Sequence, residues 1–118
     1  MIVYCFFERD FESMVNSYIA KIYAGVQSDV SYEIRKVPQQ MTDEEELLFM
    51  SVCVDNIIAN STFSWWGAYL GEAEGRRVYY PSLWYGHQLY YLVTDSMFPA
   101  EWRRMDAHAE YECKCVPI

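Results

Sequence analysis

Asn60, Ser61, Thr62 and Ser64 lie in the run IIANSTFSWWGAYLGE, Ile57 to Glu72, between an apolar tripeptide and two adjacent tryptophans. Three hydroxyls and a carboxamide within five residues form a dense set of neutral donors and acceptors. At a strand-to-helix corner they join the unpaired N–H groups and partial positive charge of the helix start, a combination that holds a phosphate without a glycine-rich loop. The plainer reading is that Asn60 or Ser61 caps the helix and nothing more. Spacing alone leaves both open. Asn60-Ser61-Thr62 also satisfies the N-glycosylation sequon, but a corner that follows Ile57-Ile58-Ala59 is expected to be buried and unmodified. Trp65 and Trp66 read as packing residues. None of the five glycines forms G-x-G-x-x-G, which disfavours a nicotinamide dinucleotide enzyme.

Other chemistry-bearing residues are less pointed. Thr42-Asp43-Glu44-Glu45 fits a capping box with its acids set against the helix dipole, so the cluster reads as a helix start rather than a metal site. Cys5, Cys53, Cys113 and Cys115 show neither C-x-x-C nor zinc-ligand spacing. Cys5 and Cys53 read as buried apolar residues. Cys113 and Cys115 alternate on one face of a terminal extended segment, and the redox compartment stays open. His87 and His108 are lone histidines in weakly patterned segments and read as exposed. No catalytic residue and no metal ligand set emerges.

The elements that would position the corner follow from periodicity. Ile2 to Phe7 is a continuous apolar run that suits a buried strand, and Phe11, Met14, Val15, Tyr18, Ile19 and Ile22 then trace a helical face closing near Gly25. Ser31 to Val37 reads as a second strand, cut by Pro38. A helix is expected from Asp43 to about Val54, a short fully buried strand over Ile57-Ile58-Ala59, a helix through Trp65, Trp66, Ala68 and Leu70 with a glycine stop at Gly71, and a strand from Arg77 to Tyr80. Beyond Pro81 the pattern weakens. Ser82 to Phe98 reads as loop with a little helix, Pro99 to Met105 as one or two helical turns, and Tyr111 to Val116 as extended. Alternating strands and helices give an α/β fold with a mainly parallel sheet and crossover helices. One domain is expected over residues 1–118, with 82–118 its irregular, aromatic-rich part.

Composition sets the class. The chain has 118 residues, 53% of them hydrophobic and 18% aromatic, which favours a packed interior over disorder. Seventeen acidic against nine basic residues give a net charge of −8. That balance offers no basic stripe for counterion release, so nucleic acid is not an expected partner. The longest nearly apolar run, Leu47 to Val54, is far below the roughly 20 residues of a membrane helix, and MIVYCFFERD lacks the basic start of a signal peptide.

The run EELLFMSVCVDNIIANSTFSWWGAYLG, Glu45 to Gly71, closely resembles the C-terminal motif of the α-1,2-fucosyltransferase family, glycosyltransferase family 11. The likeness continues through Val78-Tyr79-Tyr80-Pro81, Trp84-Tyr85 and Pro99-Ala100-Glu101-Trp102, so it covers Glu45 to about Trp102. It implies the C-terminal, Rossmann-like donor half of a GT-B glycosyltransferase that moves L-fucose from GDP-fucose to a galactoside hydroxyl, with inversion and with neither cofactor nor catalytic metal. The implied partners are a nucleotide sugar and a carbohydrate acceptor. Carried onto this chain, Ser61, Thr62 and Ser64 approach the diphosphate and Phe63 shapes the donor pocket. Glu46, where the family usually has aspartate, holds the guanine or only begins the helix. The family's upstream histidine-x-arginine-arginine motif has no match; Arg76-Arg77 and Arg103-Arg104 lack the histidine and lie on the wrong side. The expectation is half a donor site, a short or truncated member whose upstream half is missing, with a non-catalytic nucleotide-sugar or interaction module as the alternative. The resemblance implies the Golgi lumen for a eukaryotic chain, membrane-anchored in longer forms, and the cytoplasm for a bacterial one.

Overall fold

A computed structural model describes residues 1–82, 84 and 95–106. The chain divides into two compact units, residues 1–42 and 43–118. In the first, strand β1 (Ile2–Cys5) leads through helix α1 (Glu12–Gly25) to strand β2 (Glu33–Lys36), and the two strands pair in parallel with Ile2 opposite Glu33 and Cys5 opposite Lys36. Parallel neighbours need a crossover, and α1 supplies it. Tyrosines tie the helix to the strand: the Tyr23 hydroxyl accepts from the Ile34 N–H at 2.6 Å, and Tyr32 stacks on Tyr23 while donating to the Val26 carbonyl at 2.9 Å. The expected burial of the first strand is not found, since Ile2 is 47% and Val3 37% exposed. The apolar run is a strand only over its first part, and a two-stranded sheet crossed by a single helix leaves much of its surface uncovered.

The second unit holds helix α2 (Asp43–Val52), strand β3 (Asp55–Ile57), helix α3 (Thr62–Tyr69), strand β4 (Arg77–Pro81) and strand β5 (Arg103–Met105). The three strands pair in parallel in the order β3-β4-β5. Asp43, Glu44, Glu45 and Glu46 occupy the first turn of α2, as the helix-start reading expects. The α/β class with parallel sheets is as the sequence implies.

Strand β3 corrects the expected buried triplet. It begins two residues earlier, at Asp55, because Asp55 accepts from the Arg77 N–H at 2.8 Å and pairs with its guanidinium at 2.9 Å, which fixes the register of β3 against β4. Period-two alternation then turns Asn56 and Ile58 inward and leaves Ile57 77% exposed. Strand β5 corrects the helical turns expected over 99–105: a single turn closes where the Trp102 N–H meets the Pro99 carbonyl at 3.0 Å, and the chain then extends. All three β5 residues are exposed, so no apolar alternation marked it as a strand.

The core of this unit is Ile58, Ala68, Val78, Tyr80, Trp84, Phe98 and Trp102, with Trp65 and Met97 packed against it. Phe98 is its centre: Tyr80 stacks on it at 3.8 Å, Trp84 meets it edge-on and Trp102 lies tilted against it. Helices α2 and α3 pack closely because Gly67 lacks a side chain; a Cβ there would stand 2.6 Å from Met50 Sδ and 2.8 Å from its Cβ. Gly71 follows the end of α3 but not in the left-handed conformation of a glycine cap, since only Gly75 has positive φ among the described glycines. It is glycine for space: an added Cβ would meet Arg76 Nη1 at 2.6 Å and the Ser51 carbonyl at 3.1 Å.

Cys5 and Cys53 are half-buried free thiols rather than fully buried ones, and burial raises both above the usual thiol range. Tyr85, His87, His108, Cys113, Cys115 and the extended segment expected at 111–116 lie outside the described residues. No helix among the described residues is long and apolar enough to cross a membrane.

Candidate functional site

The carboxyl end of β3 runs through Ile58, Ala59 and Asn60 into the start of α3. Ile58 continues the ladder by donating to the Tyr79 carbonyl at 2.9 Å, after which the Ser61 N–H folds back onto the Ala59 carbonyl at 2.8 Å. Ser61 is extended, at φ −135° and ψ 132°, and its Oγ accepts from the Ser64 N–H at 3.5 Å. It is therefore the N-cap, the plainer of the two expected roles. The carboxamide of Asn60 donates to the Trp84 carbonyl at 3.1 Å, so the turn is tied to the chain that leaves the carboxyl end of β4. Asn60 is half-buried rather than buried. This contact, made across 24 residues, had no signal in the sequence.

The four expected donor-side residues at this corner differ in what they offer. Thr62 is exposed as the first residue of α3, and neither its N–H nor that of Phe63 has a hydrogen-bond partner among the described residues. First-turn N–H groups have no intrahelical acceptor and point outward from the helix start. Phe63 is half-buried. The Ser64 hydroxyl is turned inward, donating between the Ala59 carbonyl at 3.1 Å and the Ser61 carbonyl at 3.0 Å. Its proton is thus occupied, and the outward-facing donors are Thr62 and the backbone. Glu46 lies in the first turn of α2, the helix that packs on α3, with no hydrogen bond to the corner among the described residues. Burial, and secondarily the neighbouring Asp43, raises its carboxyl above the usual range although the helix start favours the anion.

The arginines serve other places. Arg76 donates to the Ala68 carbonyl at the C-terminal end of α3, the end remote from Ser61, where a cation is favourable. Arg77 is held by Asp55 at the starting edge of the sheet, Arg103 donates to the Tyr79 hydroxyl at 3.2 Å, and Arg104 lies 3.9 Å from Asp106. The Arg77 guanidinium hydrogen-bonded to Asp55 holds that carboxyl below the usual range, against the opposing effect of burial. A lowered folded-state pKa gives stability that is full above the unfolded value and is lost as pH falls through the folded one. Asp55→Asn is accordingly expected to be less stable than the parent at neutral pH and to converge on it in acid, as urea unfolding across pH would record; parallel pH profiles would contradict the pairing.

A parallel strand, a capped turn and a helix start lie together at the carboxyl edge of the sheet, the edge at which open α/β folds in general bind ligands. The chain belongs to glycosyl transferase family 11, whose model matches residues 24–106. It is 46% identical over 52 residues to the O-antigen biosynthesis glycosyltransferase WbnK of Escherichia coli, a match that takes in 43% of this chain and 17% of that protein. The chain therefore spans less than a fifth of that relative where the two align. No solved structure matches it.

Proposed function

We propose that this chain is the C-terminal donor part of a GT-B fucosyltransferase, and that the α3 corner receives the diphosphate of GDP-fucose for transfer to a galactoside hydroxyl. The observation that carries the reading is the pair of outward first-turn N–H groups at Thr62 and Phe63, set at the carboxyl edge of a parallel sheet beside an exposed threonine hydroxyl. In the transfer, the acceptor hydroxyl oxygen bonds to the anomeric carbon and releases its proton to solvent, the bond from that carbon to the diphosphate oxygen breaks, and the departing oxygen keeps the electron pair. The growing negative charge falls on N–H groups and a helix start already oriented for it. Family membership and the match to a glycosyltransferase support the reaction class. Metal and cofactor have no part in this reading. Glu46 is the group with the chemistry to tell guanine from adenine, because a carboxylate accepts from guanine N1–H and N2–H, which adenine lacks.

Saturation-transfer NMR at millimolar nucleotide tests this. GDP is expected to give the stronger signal, Thr62→Ala to weaken it by about 0.5–1.5 kcal/mol, roughly two- to tenfold, and Glu46→Gln to bring GDP and ADP together. Equal signals from both nucleotides, unmoved by Thr62→Ala, would leave Ser61 as a helix cap and nothing more. The alternative, a non-catalytic nucleotide-sugar module of the same family, shares this binding result and differs only in transfer.

A further inference from the structure

The turn between β3 and α3 is held in two different ways. Its local bonds are short-range: the Ser61 N–H meets the Ala59 carbonyl at 2.8 Å, and the Ser64 hydroxyl lies between the Ala59 and Ser61 carbonyls. These bonds fix the shape of residues 59–64 but not its direction, since their donors and acceptors move together. The ladder to β4 reaches Ile58, whose N–H meets the Tyr79 carbonyl. Beyond it, Asn60 reaches outside the turn, its carboxamide nitrogen donating to the Trp84 carbonyl at 3.1 Å, 24 residues along the chain. Only the nitrogen end of a carboxamide can meet a carbonyl oxygen, so this contact also sets which way the group is turned.

The acceptor is a firm one. Trp84 is 6% exposed and belongs to the aromatic core, edge-on to Phe98 with centroids 5.3 Å apart. Close-packed interiors transmit position because their side chains have little room to move. Asn60 is half-buried, and Thr62 and Phe63, the residues whose N–H groups face outward, follow it by two and three positions. A strut thus runs from the core through Trp84 and Asn60 to the start of α3.

Donors aimed before a ligand arrives act at full strength, whereas donors that the ligand must order lose part of their contribution to that ordering. The geometry points to Asn60 as a positioning residue of the donor corner, one that acts through the Thr62 and Phe63 N–H groups rather than by touching the diphosphate. The inference rests on the donor reading and deepens it. Cap and strut are separable: alanine at position 60 removes the bond to Trp84 and leaves the Ser61 cap and both Ser64 bonds their atoms.

The test is a double-mutant cycle, with GDP titrated into the labelled full chain as parent, Asn60→Ala, Thr62→Ala and the double variant. Asn60→Ala is expected to weaken GDP roughly three- to tenfold. In that background Thr62→Ala, worth roughly two- to tenfold in the parent, is expected to cost less than about twofold, because an unaimed donor has less to lose. The Trp84 carbonyl ¹³C resonance should follow saturation in the parent and fall still in Asn60→Ala. A merely structural role moves the urea midpoint and leaves the two binding penalties additive. Additive penalties, or a GDP affinity indifferent to Asn60→Ala, would overturn the assignment while the donor reading stands. Loss of the fold in both Asn60→Ala and Asn60→Ser would overturn it too, placing the bond with the core. A parent that binds no GDP at Thr62 removes the donor reading and this inference together.

Discussion

Incubated with labelled GDP-fucose and a β-galactoside acceptor, the 118-residue chain is expected to form no product above buffer. The expectation rests on where its cations are. A diphosphate leaving group needs charge-assisted hydrogen bonds, each contributing about 1.5–3 kcal/mol, so lacking a pair of arginines removes several kcal/mol of transition-state stabilisation, or roughly two or more orders of magnitude in rate. The four arginines that follow the corner in sequence are engaged elsewhere: Arg76 on the Ala68 carbonyl, Arg77 on Asp55, Arg103 on Tyr79 and Arg104 beside Asp106. The α3 corner offers only neutral donors. Positioning of the acceptor hydroxyl adds to the deficit, since holding two reactants in line accounts for about 7–11 kcal/mol in well-oriented systems. Turnover by the chain alone, readily detected over hours, would show that one of those arginines leaves its present partner for the diphosphate.

The largest loss of stability is expected from Phe98→Ala. Phe98 is buried, stacked on Tyr80 at 3.8 Å and flanked by Trp84 and Trp102, so truncation removes ring contacts on three sides and opens a cavity among residues that are themselves large and rigid. Phe-to-Ala changes in such settings cost about 3–5 kcal/mol. Small domains hold only about 5–15 kcal/mol in all, so the variant should lose a large part of its stability. Urea unfolding followed by tryptophan emission would measure it, Trp84 and Trp102 being direct neighbours. A loss below about 1 kcal/mol would mean that the ring cluster relaxes freely, against the packing described.

The strand-turn-helix at Ser61 was the most legible part of the chain, because capping is a local matter: a small polar residue, its hydroxyl and an N–H three positions on are all within one turn. Helix α1 was legible for a similar reason, through its apolar spacing. What escaped depended on partners far along the chain. The phase of β3 was set by Arg77, 22 residues from Asp55, and that pairing outweighed the apolar appearance of Ile57. Strand β5 reads Arg103-Arg104-Met105, whose edge position beside β4 gives it hydrogen bonds without burial, so no hydrophobic alternation announced it. Gly71 was rightly placed at the end of α3, but the physical reason is the proximity of Arg76 and Ser51 rather than a left-handed cap. At the site itself, the hydroxyl count suggested three equivalent side-chain donors. The structure distinguishes them, with Ser61 as cap, Ser64 turned onto backbone carbonyls and Thr62 left facing outward. Such division of labour depends on rotamers and local backbone path, which composition does not carry. Glu46 likewise could be placed on a helix start from its neighbours, while its partial burial could not.

Backbone amide shift mapping with GDP tests the central claim most directly, because it reports on the N–H groups that would hold the diphosphate. Titration of the ¹⁵N-labelled chain is expected to move Thr62 and Phe63 most, with Ser64 and the Asn60 side-chain amide following, and to leave Asp55 and Arg77, at the opposite edge of the β3-β4-β5 sheet, still. Shifts centred away from the start of α3, or none at millimolar GDP, would contradict the assignment of this corner as the donor site.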